Sequence, residues 1–101
     1  MSFIDQLIGK YVCVRSRDAG VFVGVLEEKT GKEVVISKAR RIWKWAGAAT
    51  LSQLSRDGVS KPDECMFPPE VKFIVLPEIC EIIPMQEEAI VSITSVKEWL
   101  E

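Results

Sequence analysis

Three runs rich in β-branched and aromatic residues open the chain, set apart by glycine-bearing turns. A chain patterned this way is committed to an antiparallel meander. Residues 10–15 (KYVCVR) lead through Asp18-Ala19-Gly20 into residues 21–27 (VFVGVLE), which reads as a β-hairpin. Lys29-Thr30-Gly31-Lys32 marks the next turn. Residues 33–37 (EVVIS) and 40–45 (RRIWKW) then continue the extended character, with a break at Lys38-Ala39. Gly24, inside the second run, predicts a bulge or a close approach by another backbone or a ligand.

The period changes at residues 50–57 (TLSQLSRD). Leu51 and Leu54 lie three apart, Thr50 with Gln53 fits a capping box, and Gly58 stands at the C-terminal stop, so a short helix is expected. Residues 61–69 hold Pro62, Pro68 and Pro69 and read as an irregular loop over the surface. Residues 71–76 (VKFIVL) and 79–83 (ICEII), parted by Pro77-Glu78 and ended by Pro84, read as two mostly buried strands. From Met85 onward, Ala89, Ile90, Ile93, Val96 and Trp99 are spaced for one broken helix on the sheet. Its interruption falls at Thr94-Ser95, and Ser95 with Glu98 opens a last turn. The expected fold is α+β, a single domain over residues 1–101. It is a small antiparallel β-sheet or partly open barrel of five to six strands, with one short internal helix and a C-terminal helix.

At 101 residues there is room for one ordinary core. Thirteen basic against fifteen acidic side chains leave a net charge of −2, which argues against coating long nucleic acid. Any anionic ligand must then meet a local basic patch. Histidine is absent, which removes the commonest general base, nucleophile activator and transition-metal ligand together. Cys13, Cys65 and Cys80 are odd in number and widely spaced, fitting neither a disulfide framework nor a zinc signature. The acidic residues lie scattered or in exposed pairs such as Glu27-Glu28 and Glu87-Glu88, without the spacing of a two-carboxylate or metal site. The expectation is therefore a protein that is not an enzyme, with no cofactor and no metal. No basic segment precedes a long apolar stretch and no 18 apolar residues run together, so neither a standard secretion signal nor a membrane span is expected.

RRIWKW is the densest candidate for ligand contact. Period-two alternation places Arg41, Trp43 and Trp45 on one strand face and Arg40, Ile42 and Lys44 on the other. A guanidinium beside two indoles suits a ligand with an aromatic base and phosphates. Core or subunit-interface tryptophans are the plainer alternative, although charge on both faces argues against a strand lying deep in so small a domain. Downstream, Gly47, Ala48 and Ala49 lead into the helix start at Thr50, Ser52 and Gln53. There free backbone N–H groups could dock an anion, or could simply be satisfied by a cap. Ala19, Gly20, Val21 and Phe22 are a further candidate, a glycine turn whose neighbouring aromatic covers a base, with Phe22 in the core as the alternative.

The segments AGVFVG (19–24), GKEVV (31–35), RRIWKWAGAATLSQL (40–54), GVSKPDEC (58–65), EIIP (81–84) and VKEW (96–99) together cover nearly the whole chain. In them the sequence resembles a small family of tailed phages and prophages, the Thoeris anti-defence sponge proteins. These bind and sequester a cyclic ADP-ribose isomer without degrading it. Lys44 departs from the pattern, standing where relatives carry an aromatic residue. The resemblance implies a compact β-sheet domain with flanking helices, working in the host bacterial cytoplasm. It also implies homo-oligomers, dimeric or higher, with the pocket for the small nucleotide-derived signal between subunits, and further sites for cyclic oligonucleotides in some members. Two other readings stand beside it: a small single-stranded nucleic-acid-binding β module, and a structural or interaction module of a phage. Three tryptophans and exposed β edges independently favour a homo-oligomer.

Overall fold

The three opening runs form the three central strands of one antiparallel sheet. A computed structural model describes residues 2–100. Strands β1 (Tyr11–Ser16), β2 (Gly20–Thr30) and β3 (Glu33–Ile42) pair in sequence, and β4 (Val71–Leu76) and β5 (Ile79–Pro84) take the two edges, in the order β4-β3-β2-β1-β5. Helices α1 (Phe3–Leu7), α2 (Leu51–Asp57) and α3 (Glu87–Thr94) complete an α+β fold. Ser2 caps α1 through a reciprocal capping box with Asp5, a helix the reading of the sequence did not include. Among the described residues no helix is long and apolar enough to cross a membrane.

Only Pro77 and Glu78 separate the two edge strands. Three Cα steps reach at most ~11 Å, whereas the edges of a flat five-stranded sheet stand ~19 Å apart. The sheet must therefore coil until its edges meet at that end, which makes it a partly open barrel. Because β4 and β5 run in the same direction, residues 71–84 act as one bent strand that serves β3 first and β1 afterwards.

Gly24 permits much of the coiling. A Cβ built there would lie 2.6 Å from the Ser37 carbonyl oxygen, so no larger residue fits without moving β3. The β2–β3 register jumps from Val23–Arg40 to Val25–Ser37, leaving Lys38, at φ +49°, in a bulge. The break expected at Lys38-Ala39 is thus a bulge within a continuous strand.

Two apolar clusters lie on the two faces of this sheet. The inner one gathers Val12, Val14, Phe22, Leu26, Val34 and Ile36, with Leu7 of α1 joining it. On the outer face Cys13, Val23 and Ile42 are covered by Leu54 of α2 and by Ala89 and Ile93 of α3. Helix α2 starts and stops where expected, with Thr50 as N-cap and Gly58 as C-cap.

Three expectations are corrected. The proline-bearing stretch 61–69 is not merely a surface loop: Phe67 is fully buried in the outer cluster, at ~1.5–3 kcal/mol for a side chain of that size. Strand β4 is not mostly buried, since Val71, Phe73 and Val75 are all exposed. Its outer face lies beyond the reach of the helices. The last helical turn expected at Ser95 does not form; α3 ends at Thr94, and Glu98 bridges to Phe67 with the Trp99 N–H donating to the Phe67 carbonyl at 2.8 Å.

Candidate functional site

Cross-strand register sends the two adjacent arginines of β3 to opposite faces. Arg40 lies opposite Val23 and turns toward the helices, while Arg41 lies opposite Phe22 and turns toward the barrel interior. The parity read from the sequence holds through Ile42.

Arg40 is only 5% exposed. Its Nε donates to the Pro68 carbonyl at 3.2 Å, Nη1 to that of Ile93 at 3.2 Å and Nη2 to that of Phe67 at 3.4 Å, and its guanidinium lies 5.2 Å from the centre of the Phe67 ring. Arg40, a candidate ligand contact within RRIWKW, thus pins the proline-bearing stretch and the end of α3 to the sheet, and its donors are engaged within the fold. A strand can carry a charge into this small core because three carbonyls and a ring face replace the lost water. Burial still pulls the Arg40 pKa down, against the opposing fields of Glu98, Tyr11 and Glu70.

Beside it Tyr11, Arg40, Glu70, Thr94, Val96 and Glu98 line a cleft of about 210 Å³. The Tyr11 hydroxyl is pushed up to about 12, mainly by burial and then by Glu70. Cys13 is raised to about 11, again mainly by burial, which keeps it a thiol rather than a nucleophile. Reading the sequence missed this cleft, since Tyr11, Glu70 and Glu98 come from three distant segments.

Arg41 is only partly buried. Its guanidinium sits 4.4 Å over the centre of the Phe22 ring, and Nη1 donates to the Ala19 carbonyl at 2.8 Å. Among the described residues that is its one hydrogen bond, so most of its N–H donors remain available to a ligand. Phe22 is fully buried, and Gly20 at φ +98° turns the chain beside it. Phe22 is therefore the floor under Arg41 and not an exposed lid; Val21 packs toward the helix-side cluster instead.

The strand ends at Ile42, and the alternation ends with it. The Trp43 and Lys44 amides both donate to the Met66 carbonyl, each at 3.1 Å, so two successive residues share one acceptor. Trp45 then packs on the helix-side cluster and its Nε1 donates to the Ala48 carbonyl at 3.1 Å. Arg41, Trp43 and Trp45 consequently do not form one face. Trp45 is a packing residue, whereas Trp43, at 65% exposure, is free to stack.

The start of α2 offers little to an anion. The Ala49 amide donates to Gln53 Oε1 at 2.8 Å and the Gln53 amide to Thr50 Oγ1 at 3.1 Å, while Ala46 N–H is taken by Cys65 Sγ. Thr50 and Gln53 act as caps, and Ser52 is exposed on the helix surface. Among the described residues no three His, Cys, Asp or Glu side chains gather as a metal site.

The geometry that remains for a ligand is a half-exposed arginine held on an aromatic floor, followed two residues later by an exposed indole. Residues 9–93 match a family model described as a domain of unknown function (DUF6948). No curated protein matches the chain, and no solved structure does.

Proposed function

The chain belongs to the DUF6948 family, and we propose that it is a phage-encoded binding protein that sequesters a nucleotide-derived immune signal, a cyclic ADP-ribose isomer, without degrading it. The observation that carries this reading is the contrast between Arg41 and every other candidate. Its guanidinium is oriented by Phe22 and Ala19 and yet retains donors for a phosphate. Trp43 supplies an exposed ring for stacking a base. Phosphate contact and base stacking are the two interactions that a nucleotide-derived ligand needs. A sponge needs no general base, in keeping with a chain that has no histidine. The resemblance to Thoeris anti-defence sponges supports the same reading and adds a homo-oligomer in the host bacterial cytoplasm, with the pocket completed between subunits.

The experiment is to mix the protein with the cyclic ADP-ribose isomer, isolate the complex, denature it by heat and analyse the released small molecule by mass spectrometry. Intact ligand is the expected result. Absence of binding at micromolar concentration, or recovery of cleaved product, contradicts the proposal. Salt-sensitive binding to single-stranded oligonucleotides that vanishes in Trp43→Ala would instead make the chain a nucleic-acid module.

A further inference from the structure

We infer that β4 is a self-association strand, along which two copies of this chain pair antiparallel about a two-fold axis passing through Phe73. The inference names an interface for the oligomer of the preceding reading, but it stands on β4 alone. Failure of ligand binding would leave it intact, and a dimer indifferent to Phe73→Glu would overturn it while leaving ligand binding intact.

Among the described residues, strand β4 pairs on one side only, with β3. Edge strands of this kind are ordinarily protected by charge, proline or a covering element. Here Val71, Phe73 and Val75 are 44%, 64% and 56% exposed, and at period two they share one face. They continue the outer sheet face past the region that α2 and α3 cover. An uncovered row of three large apolar side chains beside unpaired main-chain groups is a template for another strand.

The residues flanking the row select a second copy as the occupant. A cleft of about 400 Å³ over this face is lined by Val71 and Phe73 together with Glu27, Glu70, Lys38 and Lys72, two acids against two bases. A rim of balanced charge favours neither a polyanion nor a strongly basic partner, and the nearly symmetric run Val71-Lys72-Phe73-Ile74-Val75 matches a second copy of itself.

The sequence of β4 also restricts the register. Opposite residues in an antiparallel pair share a face, so the apolar rows meet only if the axis falls on a residue. With the axis at Phe73, Val71 meets Val75 and Phe73 meets its own copy. Moving the axis to Lys72 sets two ammonium groups opposite each other, which is unfavourable. Moving it to Ile74 sets Val71 against Pro77, which has no amide to donate. The Phe73 register alone keeps all three side chains together without a charge clash. A stable interface buries ~800 Å² per partner, so the charged rim must close around this apolar centre.

Sedimentation of the full chain at tens of micromolar should give twice the 11.4 kDa of one copy. Phe73→Glu should weaken dimerisation by at least ~100-fold, with circular dichroism confirming that the fold survives. In a Cys65→Ser, Cys80→Ser background, Phe73→Cys should cross-link to its own copy under mild oxidation. Paired Cα atoms ~4.5–5.5 Å apart fall within disulfide range. Lys72→Cys, facing Ile74 in this register, should not. A monomeric wild type, a dimer indifferent to Phe73→Glu, or a Lys72→Cys protein that cross-links more readily than Phe73→Cys would overturn the inference.

Discussion

Arg40 and Arg41 are consecutive residues of one strand, and the sheet treats them oppositely. Arg40 faces the helices, where three carbonyls and the Phe67 ring occupy its guanidinium. Arg41 faces the barrel interior at the β1–β2 turn, where one carbonyl and the Phe22 ring hold it while leaving most of its donors open. The difference separates structure from function. A charge whose hydrogen bonds are made within the fold contributes stability, and one oriented but incompletely bonded is available to a ligand.

Arg40→Met tests the first half of the comparison and carries the largest expected effect on stability. The methionine keeps the apolar stem but removes three hydrogen bonds, leaving the Pro68 carbonyl without its donor while Phe67 and Ile93 keep the amides of Trp99 and Val96. The loss of three hydrogen bonds from a charged group should cost about 3 kcal/mol or more. In a domain of this size that lowers Tm by about 15 °C. A fall below about 5 °C in a thermal melt would show that Arg40 is not the clamp described here.

Alkali probes the same side of the sheet. Cys13 and Tyr11 are both acids whose pKa is raised on folding, to about 11 and about 12. The unfolded chain therefore loses these protons first, and stability must fall as pH rises, beginning near 9 for Cys13 and near 10 for Tyr11. Each group contributes a loss of about 1.4 kcal/mol per pH unit across its interval. Tyr11→Phe should flatten the fall between pH 10 and 12 in urea titrations. An unchanged slope in that variant would contradict the buried state of the hydroxyl.

On the Arg41 side the effects on stability should be small. Arg41→Ala removes one hydrogen bond and one cation–π contact, about 1 kcal/mol. Trp43→Ala should change stability by less than about 0.5 kcal/mol because the indole is exposed. A large loss of stability in either variant, measured by urea denaturation, would move that residue from the ligand side of the comparison to the structural side.

Much of this architecture was legible from local chemistry. The β1–β2 hairpin follows from two β-branched runs around Asp18-Ala19-Gly20, and α2 from Thr50, Gln53 and Gly58. The close approach at Gly24 follows from a glycine amid valines. What escaped depends on contacts distant in sequence. Arg40 looked like surface because the carbonyls that receive it lie at Phe67, Pro68 and Ile93. Phe67 looked like loop because its proline neighbours signal irregular backbone and are silent about burial. Strand β4 has the composition of a buried strand, but its position at the edge beyond the helices leaves it bare. Trp43 and Trp45 read as partners on one face until Met66, more than twenty positions away, accepts from both Trp43 and Lys44 and breaks the alternation.

The central claim is that Arg41 and Trp43, and not Arg40 or Trp45, meet the ligand. Titration calorimetry with the cyclic ADP-ribose isomer, on wild type, Arg41→Ala and Trp43→Ala at matched protein concentration, tests it most directly. Each variant is expected to remain folded and to lose about 10- to 100-fold in affinity, corresponding to the ~1–3 kcal/mol of a charged hydrogen bond or a stacked base. Wild-type affinity in both folded variants would contradict the account.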